Sequence, residues 1–102
     1  MKTKNTTISA LQLRAARAAL RLSLREIANL AGVGINSVNA FEVEGSRRTQ
    51  HGTKVALQVA LERLGVRFLD DHGLAFSPNA VAFAAAQRGG EAAISSDLEG
   101  EQ

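Results

Sequence analysis

The chain is organised around residues 23–42, which read SLREIANLAGVGINSVNAFE. Ser23 followed three residues later by Glu26 is a capping box, in which each side chain satisfies a backbone donor at a helix start. Apolar residues then recur at i, i+3, i+4 and i+7, which predicts one buried helical face. Gly32 predicts the end of this helix, because glycine adopts the left-handed conformation at little cost. The apolar residues are Leu24, Ile27, Ala28 and Ala31.

A second short helix is predicted directly after this turn, starting near Ile35. Val38 and Phe41 give it an inward side. Counted from Leu24, an Ala at the fifth position, a Gly at the ninth and an aliphatic residue at the fifteenth form the spacing of a helix-turn-helix. The outward side of the second helix is small and polar, and it consists of Gly34, Ile35, Asn36, Ser37, Asn39 and Ala40.

From Leu13 to Leu64 the chain resembles the DNA-binding domains of the Cro/CI (Xre-type) family. The run QLRAARAALRLSLREIANLAGVGINSVNAFEVEG is similar to that family's first three helices. The resemblance implies a mainly α fold: a compact bundle of four to five helices that contains the helix-turn-helix. It also implies a homodimer on double-stranded DNA, with the six outward residues as base-reading candidates. Ile35 is suited to a thymine methyl group, and Asn36 or Asn39 to adenine.

The resemblance also implies contacts to the DNA backbone. The loop VEGSRRTQHGT lies beside phosphates in related domains, so Arg47, Arg48 and Thr49 are phosphate candidates. Cations of this kind supply affinity for any DNA sequence through counterion release. The family commonly has Gln at the start of the second helix, where this chain has Leu24. We therefore expect Ser23, Arg25 and the helix N-terminus to make that phosphate contact.

The charge distribution agrees with a DNA-binding segment followed by one that does not bind DNA. Residues 1–67 contain eleven Lys or Arg and four Asp or Glu, a net charge of +7. Residues 68–102 contain one Arg and six acidic residues, a net charge of −5. A basic surface attracts nucleic acid, although it also serves solubility alone.

The first helix is predicted to begin near Ala10, because Ser9 and Gln12 form a second capping box. Its core-facing stripe contains Arg17, whose guanidinium is costly to bury without a partner. The resemblance implies that Glu42 is this partner. We predict a bidentate ion pair between Arg17 and Glu42, with extension of Arg17 into water as the alternative.

The remaining chain is predicted to form a fourth helix over 53–64, a β-hairpin with arms at 66–69 and 74–76, and a fifth helix over 78–88. Thr53 is interpreted as the cap of the fourth helix. We divide it into a DNA-binding domain (8–65), a dimerisation segment (66–90) and a disordered acidic tail (91–102). A lone two-stranded hairpin is marginal in water, so we expect it either to pack Phe68 and Phe76 onto the helices or to pair its edge with another subunit. The dimer-contact candidates are Val66, Phe68, Leu74, Phe76, Val81 and Phe83.

Several other functions are disfavoured by the sequence. The chain has no Cys and no glycine-rich phosphate loop, and it pairs no nucleophile with a base, so we expect no enzyme activity. Asp70, Asp71 and His72 are interpreted as a polar turn, and we expect no metal or other cofactor. No apolar stretch approaches the ~20 residues that span a bilayer, and no signal peptide is visible. We therefore expect a cytoplasmic protein without membrane contact.

The sequence leaves three functions open. The first is a transcriptional regulator, a repressor that occupies a palindromic operator as a homodimer. The second is the antitoxin of a toxin–antitoxin pair, which would bind DNA in the same way and a toxin through residues 66–102. The third is a helix-turn-helix module that binds another protein and no DNA.

Overall fold

The computed structural model describes residues 8–45 and 49–87. This part of the chain is mainly helical with a small two-stranded antiparallel sheet, which confirms the predicted fold class. The elements are α1 (Ala10–Ala19), α2 (Leu24–Ala31), α3 (Ile35–Glu44), α4 (His51–Arg63), β1 (Val66–Phe68), β2 (Leu74–Phe76) and α5 (Pro78–Ala86).

Side-chain caps determine where α1 and α2 begin. In α1 the Ser9 hydroxyl accepts the Gln12 N–H at 3.1 Å, and the Ser9 N–H donates to Gln12 Oε1 at 3.0 Å. The same reciprocal pair joins Ser23 and Glu26 at the start of α2, at 3.0 and 2.8 Å. Both predicted capping boxes are therefore confirmed.

The predicted bounds of α4 and α5 need correction. α4 begins at His51, not Thr53, because the Gln50 carbonyl accepts the N–H groups of both Thr53 and Lys54. Thr53 thus lies inside the helix and does not cap it. α5 ends at Ala86, two residues before the predicted end at Arg88, because Gln87 already has an extended ψ of 93°. Arg88 itself, like the predicted tail over 91–102, lies outside the described residues.

One apolar core joins the helices to the hairpin. Its centre is formed by Leu13, Ile27, Phe41 and Leu61, all fully buried. Val66, Phe68 and Ala80 belong to the same buried cluster. The core therefore continues across the boundary that the sequence analysis placed after residue 65. Phe68 therefore packs onto the helices, which was one of the two predicted alternatives. Val66 and Phe68 are wrong as dimer contacts, because the protomer buries both side chains itself.

A buried glutamine fixes the hairpin to α1. Gln12 Nε2 donates to the carbonyl oxygens of Leu69 and Gly73, at 3.1 and 2.9 Å, while its Oε1 completes the α1 capping box. His72 Nδ1 lies 3.0 Å from Ser9 Oγ at the same helix end. The hairpin is consequently held at both its apolar face and its turn.

Candidate nucleic-acid interface

The turn between α2 and α3 gives the second helix its direction. Gly32 ends α2 in the left-handed conformation, with φ 71° and ψ 34°. The N–H of Val33 donates to the Ala28 carbonyl at 3.0 Å, which closes the turn at the C-terminus of α2. Gly34 is the N-cap of α3, which begins at Ile35 as predicted. On α3, Val38 and Phe41 are fully buried and hold its inward side against the core.

The outward side of α3 contains the predicted base-reading residues. Gly34, Asn36, Ser37 and Asn39 are exposed, whereas Ile35 and Ala40 are half-buried. Ile35 packs partly against the core, which leaves less of its side chain for a thymine methyl group. Two amide side chains thus have free access to a ligand along one side of a helix. An amide can donate and accept hydrogen bonds together, as adenine recognition requires.

Val43 is part of the same outward side, although it is not among the predicted base-reading residues. It follows Asn36 by seven residues, so the two side chains project from one side of α3. Val43 is 74% exposed, more than any other large apolar side chain in the described part of the chain. Its position could have been found by extending the outward helical face by one further turn beyond Ala40.

A shallow groove joins α3 to the start of α4. It encloses about 280 Å³ and is lined by Ser37, Ala40, Thr49, Gln50 and Thr53. The structure thus brings two base-reading candidates together with Thr49, a phosphate candidate. Gln50 and Thr53 were not predicted as site residues, because the assignment of Thr53 as a helix cap concealed their common location.

The described phosphate candidates differ in what they can offer. Arg25 is exposed, and no described residue pairs with its guanidinium. Ser23 is more constrained, because its N–H already donates to the Glu26 carboxylate and only its hydroxyl hydrogen remains for a phosphate. Thr49 Oγ1 donates to the Gly45 carbonyl at 3.4 Å. Arg47 and Arg48 lie outside the described residues.

Two arginines of α1 hold the C-terminal half of α3. Arg17 Nε and Nη2 donate to the two carboxylate oxygens of Glu42, at 2.7 and 2.9 Å, so the predicted bidentate ion pair is confirmed. Arg17 Nη1 also donates to the Leu22 carbonyl at 3.0 Å. Arg14 Nη1 donates to the Glu42 main-chain carbonyl at 2.8 Å. These contacts fix the angle at which α3 presents its outward side.

The remaining dimer candidates lie on β2 and α5. Phe76 is 38% exposed and Val81 is 58% exposed, while Leu74 and Phe83 are half-buried against the core. Phe83 borders a second groove of about 300 Å³, together with Leu22, Glu26, Asn29, Leu30 and Gln87. Leu74, Phe76 and Val81 therefore offer apolar surface to a partner.

Residues 8–45 and 49–87 contain neither a metal-binding cluster nor a membrane-spanning helix. No group of three or more His, Cys, Asp or Glu side chains in these ranges could hold a metal ion. Within the same ranges, no helix has the length and apolarity that crossing a membrane requires.

Comparison with known proteins returns no match, whether with protein-family models, curated proteins or solved structures.

Proposed function

We propose that this protein is a sequence-specific DNA-binding transcriptional regulator, a repressor that acts as a homodimer on a palindromic operator. The observation that carries the proposal is the α2–turn–α3 arrangement, in which a fixed helix presents the amides of Asn36 and Asn39 outward. An α-helix fits the major groove of B-DNA, where the edge of each base pair has its own pattern of donors and acceptors. The resemblance to the Cro/CI (Xre-type) family is part of the same proposal, and so is a cytoplasmic location.

The placement of cations supports this proposal. Contacts to phosphate would come from cations outside α3, because α3 itself contains no Lys or Arg. Arg25 extends from the start of α2, whose N-terminus carries the positive end of the helix dipole. In a complex, Arg25 and the Ser23 hydroxyl would contact phosphates beside the groove that α3 enters. Phosphate contacts position a protein on DNA, and base contacts give it sequence preference.

Repression would follow from occupancy of the operator. One small module reads few base pairs, so a two-fold dimer on two half-sites is needed for useful specificity. The half-site centres would lie about 34 Å apart, one turn of the DNA helix.

The operator is first sought by selection from random duplexes and by mobility shift on the DNA upstream of the gene. Asn36→Ala should then cost about 1–3 kcal/mol on the operator and little on a scrambled duplex. Arg25→Ala should weaken binding to both duplexes and lower the slope of log affinity against log salt by about one unit.

Arg63→Ala is the matched control, because it removes the same charge at the last residue of α4. Arg63 lies about 18 Å along α4 from His51, which starts the helix next to the α3 groove. Equal losses for Arg25→Ala and Arg63→Ala would indicate general electrostatics. Selection that enriches no sequence would contradict the proposal.

A second candidate function, binding of a protein partner through α3, is favoured by one observation. Val43 exposes an apolar side chain on the last turn of the outward side of α3, where a DNA-binding helix gains more from polar or cationic groups. Such a module would retain a partner protein and show no operator. The antitoxin alternative combines the two activities, and a toxic neighbouring reading frame whose product this protein neutralises would support it.

A further inference from the structure

The outer edge of β2 has backbone groups that no other described residue binds. In an antiparallel pair, successive residues direct their N–H and C=O groups alternately toward and away from the neighbouring strand. The Ser77 N–H donates to the Gly65 carbonyl, and the Leu69 N–H to the Gly73 carbonyl, both at 2.9 Å. Ala75, which lies between these two hydrogen-bonded positions, is therefore the residue of β2 that directs its N–H and C=O groups toward β1.

It follows that Leu74 and Phe76 direct their N–H and C=O groups away from β1. No hydrogen bond from any other residue within 8–45 or 49–87 reaches these groups. A strand with such an edge is a ready template for pairing with another strand.

The apolar face of the hairpin extends from β1 onto β2. Register pairs Val66 with Phe76 and Phe68 with Leu74, so all four side chains lie on one face of the sheet. Val66 and Phe68 are buried, whereas Phe76 remains 38% exposed. The apolar surface that begins in the core thus reaches the outer edge of the sheet, where it is partly exposed.

β2 and α5 contain no charged side chain. Residues 73–87 read GLAFSPNAVAFAAAQ, fifteen consecutive uncharged residues in a chain that is 22% charged. Edge strands of monomeric proteins are commonly protected by Lys, by Pro or by a covering segment. β2 has the short length, three residues, that is another such protection, but it carries neither Lys nor Pro, and no other described segment hydrogen-bonds to its outer edge.

We propose that a second copy of this chain pairs its β2 with this β2, antiparallel and about a two-fold axis. The result is a four-stranded sheet with one β1–β2 hairpin from each protomer. A second copy fits because an antiparallel edge is complementary to itself. Contact through an uncharged surface also avoids the repulsion that residues 1–67, with net charge +7, would create elsewhere.

The outward groups of Leu74 and Phe76 select the register. Ala75 must lie opposite the partner's Ala75, so that Leu74 exchanges both hydrogen bonds with the partner's Phe76, and Phe76 with the partner's Leu74. A shift that pairs Phe76 with the partner's Phe76 would need an N–H from Pro78, which has none.

This register also tolerates the charge of Arg67. Arg67 lies opposite Ala75 within the hairpin, on the face away from the core. In the dimer the two Arg67 residues are three strand spacings apart, about 14 Å. That separation exceeds the screening length of about 8 Å at physiological ionic strength.

The inference specifies the dimer contact of the proposed function, and it rests on that function only for its biological use. Two α3 helices related by a two-fold axis are what a palindromic operator requires. Assembly and DNA binding are measured separately, so either can fail without the other.

The test substitutes Ala75 and measures the mass of the full chain by sedimentation. In Ala75→Glu the new carboxylate lies opposite Arg67 within one protomer, which favours the hairpin, and opposite a second carboxylate across the dimer, which opposes assembly. Ala75→Gln is the matched uncharged control. We expect dimers from the wild type and from Ala75→Gln, and a dimer dissociation constant raised about tenfold or more in Ala75→Glu.

Two further measurements separate repulsion from misfolding. Ala75→Glu mixed with Ala75→Lys should form heterodimers, because opposite charges then face each other across the axis. High salt should restore self-association of Ala75→Glu by screening. A wild type that stays monomeric at micromolar concentration, or an Ala75→Glu variant as dimeric as the wild type, overturns the proposal. A dimeric wild type without DNA binding would contradict only the proposed function.

Discussion

Arg17 and Glu42 form a bidentate ion pair that connects α1 to the C-terminal half of α3, with Nε–Oε2 and Nη2–Oε1 distances of 2.7 and 2.9 Å. The two partners are unequally exposed, since the side chain of Arg17 is 25% accessible and that of Glu42 only 7%. Removing one partner should therefore have a different cost from removing the other.

We expect Arg17→Met to destabilise the protein by about 3 kcal/mol or more, because it leaves the Glu42 carboxylate buried without a counter-charge. Glu42→Gln should cost less, about 1–2 kcal/mol, because Arg17 can reach water and keeps the Leu22 carbonyl. Urea unfolding followed by far-ultraviolet circular dichroism gives both values and that of the double variant. A coupling energy near zero would mean that the pair does not stabilise the fold.

Local rules predicted most of the helical part. Ser9 and Ser23 marked the starts of α1 and α2, and Gly32 marked the turn, because caps and left-handed glycines depend on neighbouring residues alone. The partner of Arg17 was predicted as well, although that prediction depended on the family resemblance. The fold of α1 to α3 and the outward side of α3 were thus accessible from the sequence.

Long-range contacts were not predictable in the same way. Gln12 was assigned to a capping box, and nothing local indicated that its amide also binds carbonyls more than fifty residues away. Val66 and Phe68 were predicted as dimer contacts, because a lone hairpin is marginal and its apolar face needs cover. Alternation along a strand predicts that one face is buried, but it does not tell whether the same protomer or a second one buries it.

Gln12→Ala tests the anchor between α1 and the hairpin. The substitution removes the donor to the Leu69 carbonyl, one of two donors to the Gly73 carbonyl and the acceptor of the Ser9 N–H, and it opens a cavity. We expect a loss of about 2–4 kcal/mol in the free energy of unfolding. Gln58→Ala is the control, because the Gln58 amide binds Glu62 on an exposed helix surface and its loss should cost less than about 0.5 kcal/mol. Similar losses in both variants would contradict the anchor.

Two glycines should respond to alanine in opposite directions. Gly65 has φ 104°, and a Cβ there would overlap Ser77 Oγ and lie 2.8 Å from the Ala80 nitrogen. Gly65→Ala should therefore destabilise the protein by about 2–4 kcal/mol. Gly52 lies inside α4, where a Cβ would meet nothing within 4 Å. Gly52→Ala should stabilise the protein by about 0.5–1 kcal/mol. Thermal unfolding of both variants checks the signs, and a neutral Gly65→Ala would mean that α5 does not pack on Gly65.

Val43→Lys separates DNA binding from protein binding at α3. Val43 is exposed and lies opposite the buried side of the helix, so lysine there should leave the stability within about 0.5 kcal/mol of the wild type. If α3 enters the major groove, the added cation should raise affinity for operator and scrambled DNA alike and steepen the salt slope by about one unit. Val59→Lys on α4 is the control, since Val59 is also an exposed valine and lies about 12 Å along α4 from His51, away from the groove beside α3. Anisotropy titrations at several salt concentrations give the slopes. Equal gains from both substitutions would indicate long-range attraction only, and no gain at Val43 would favour the protein-binding module.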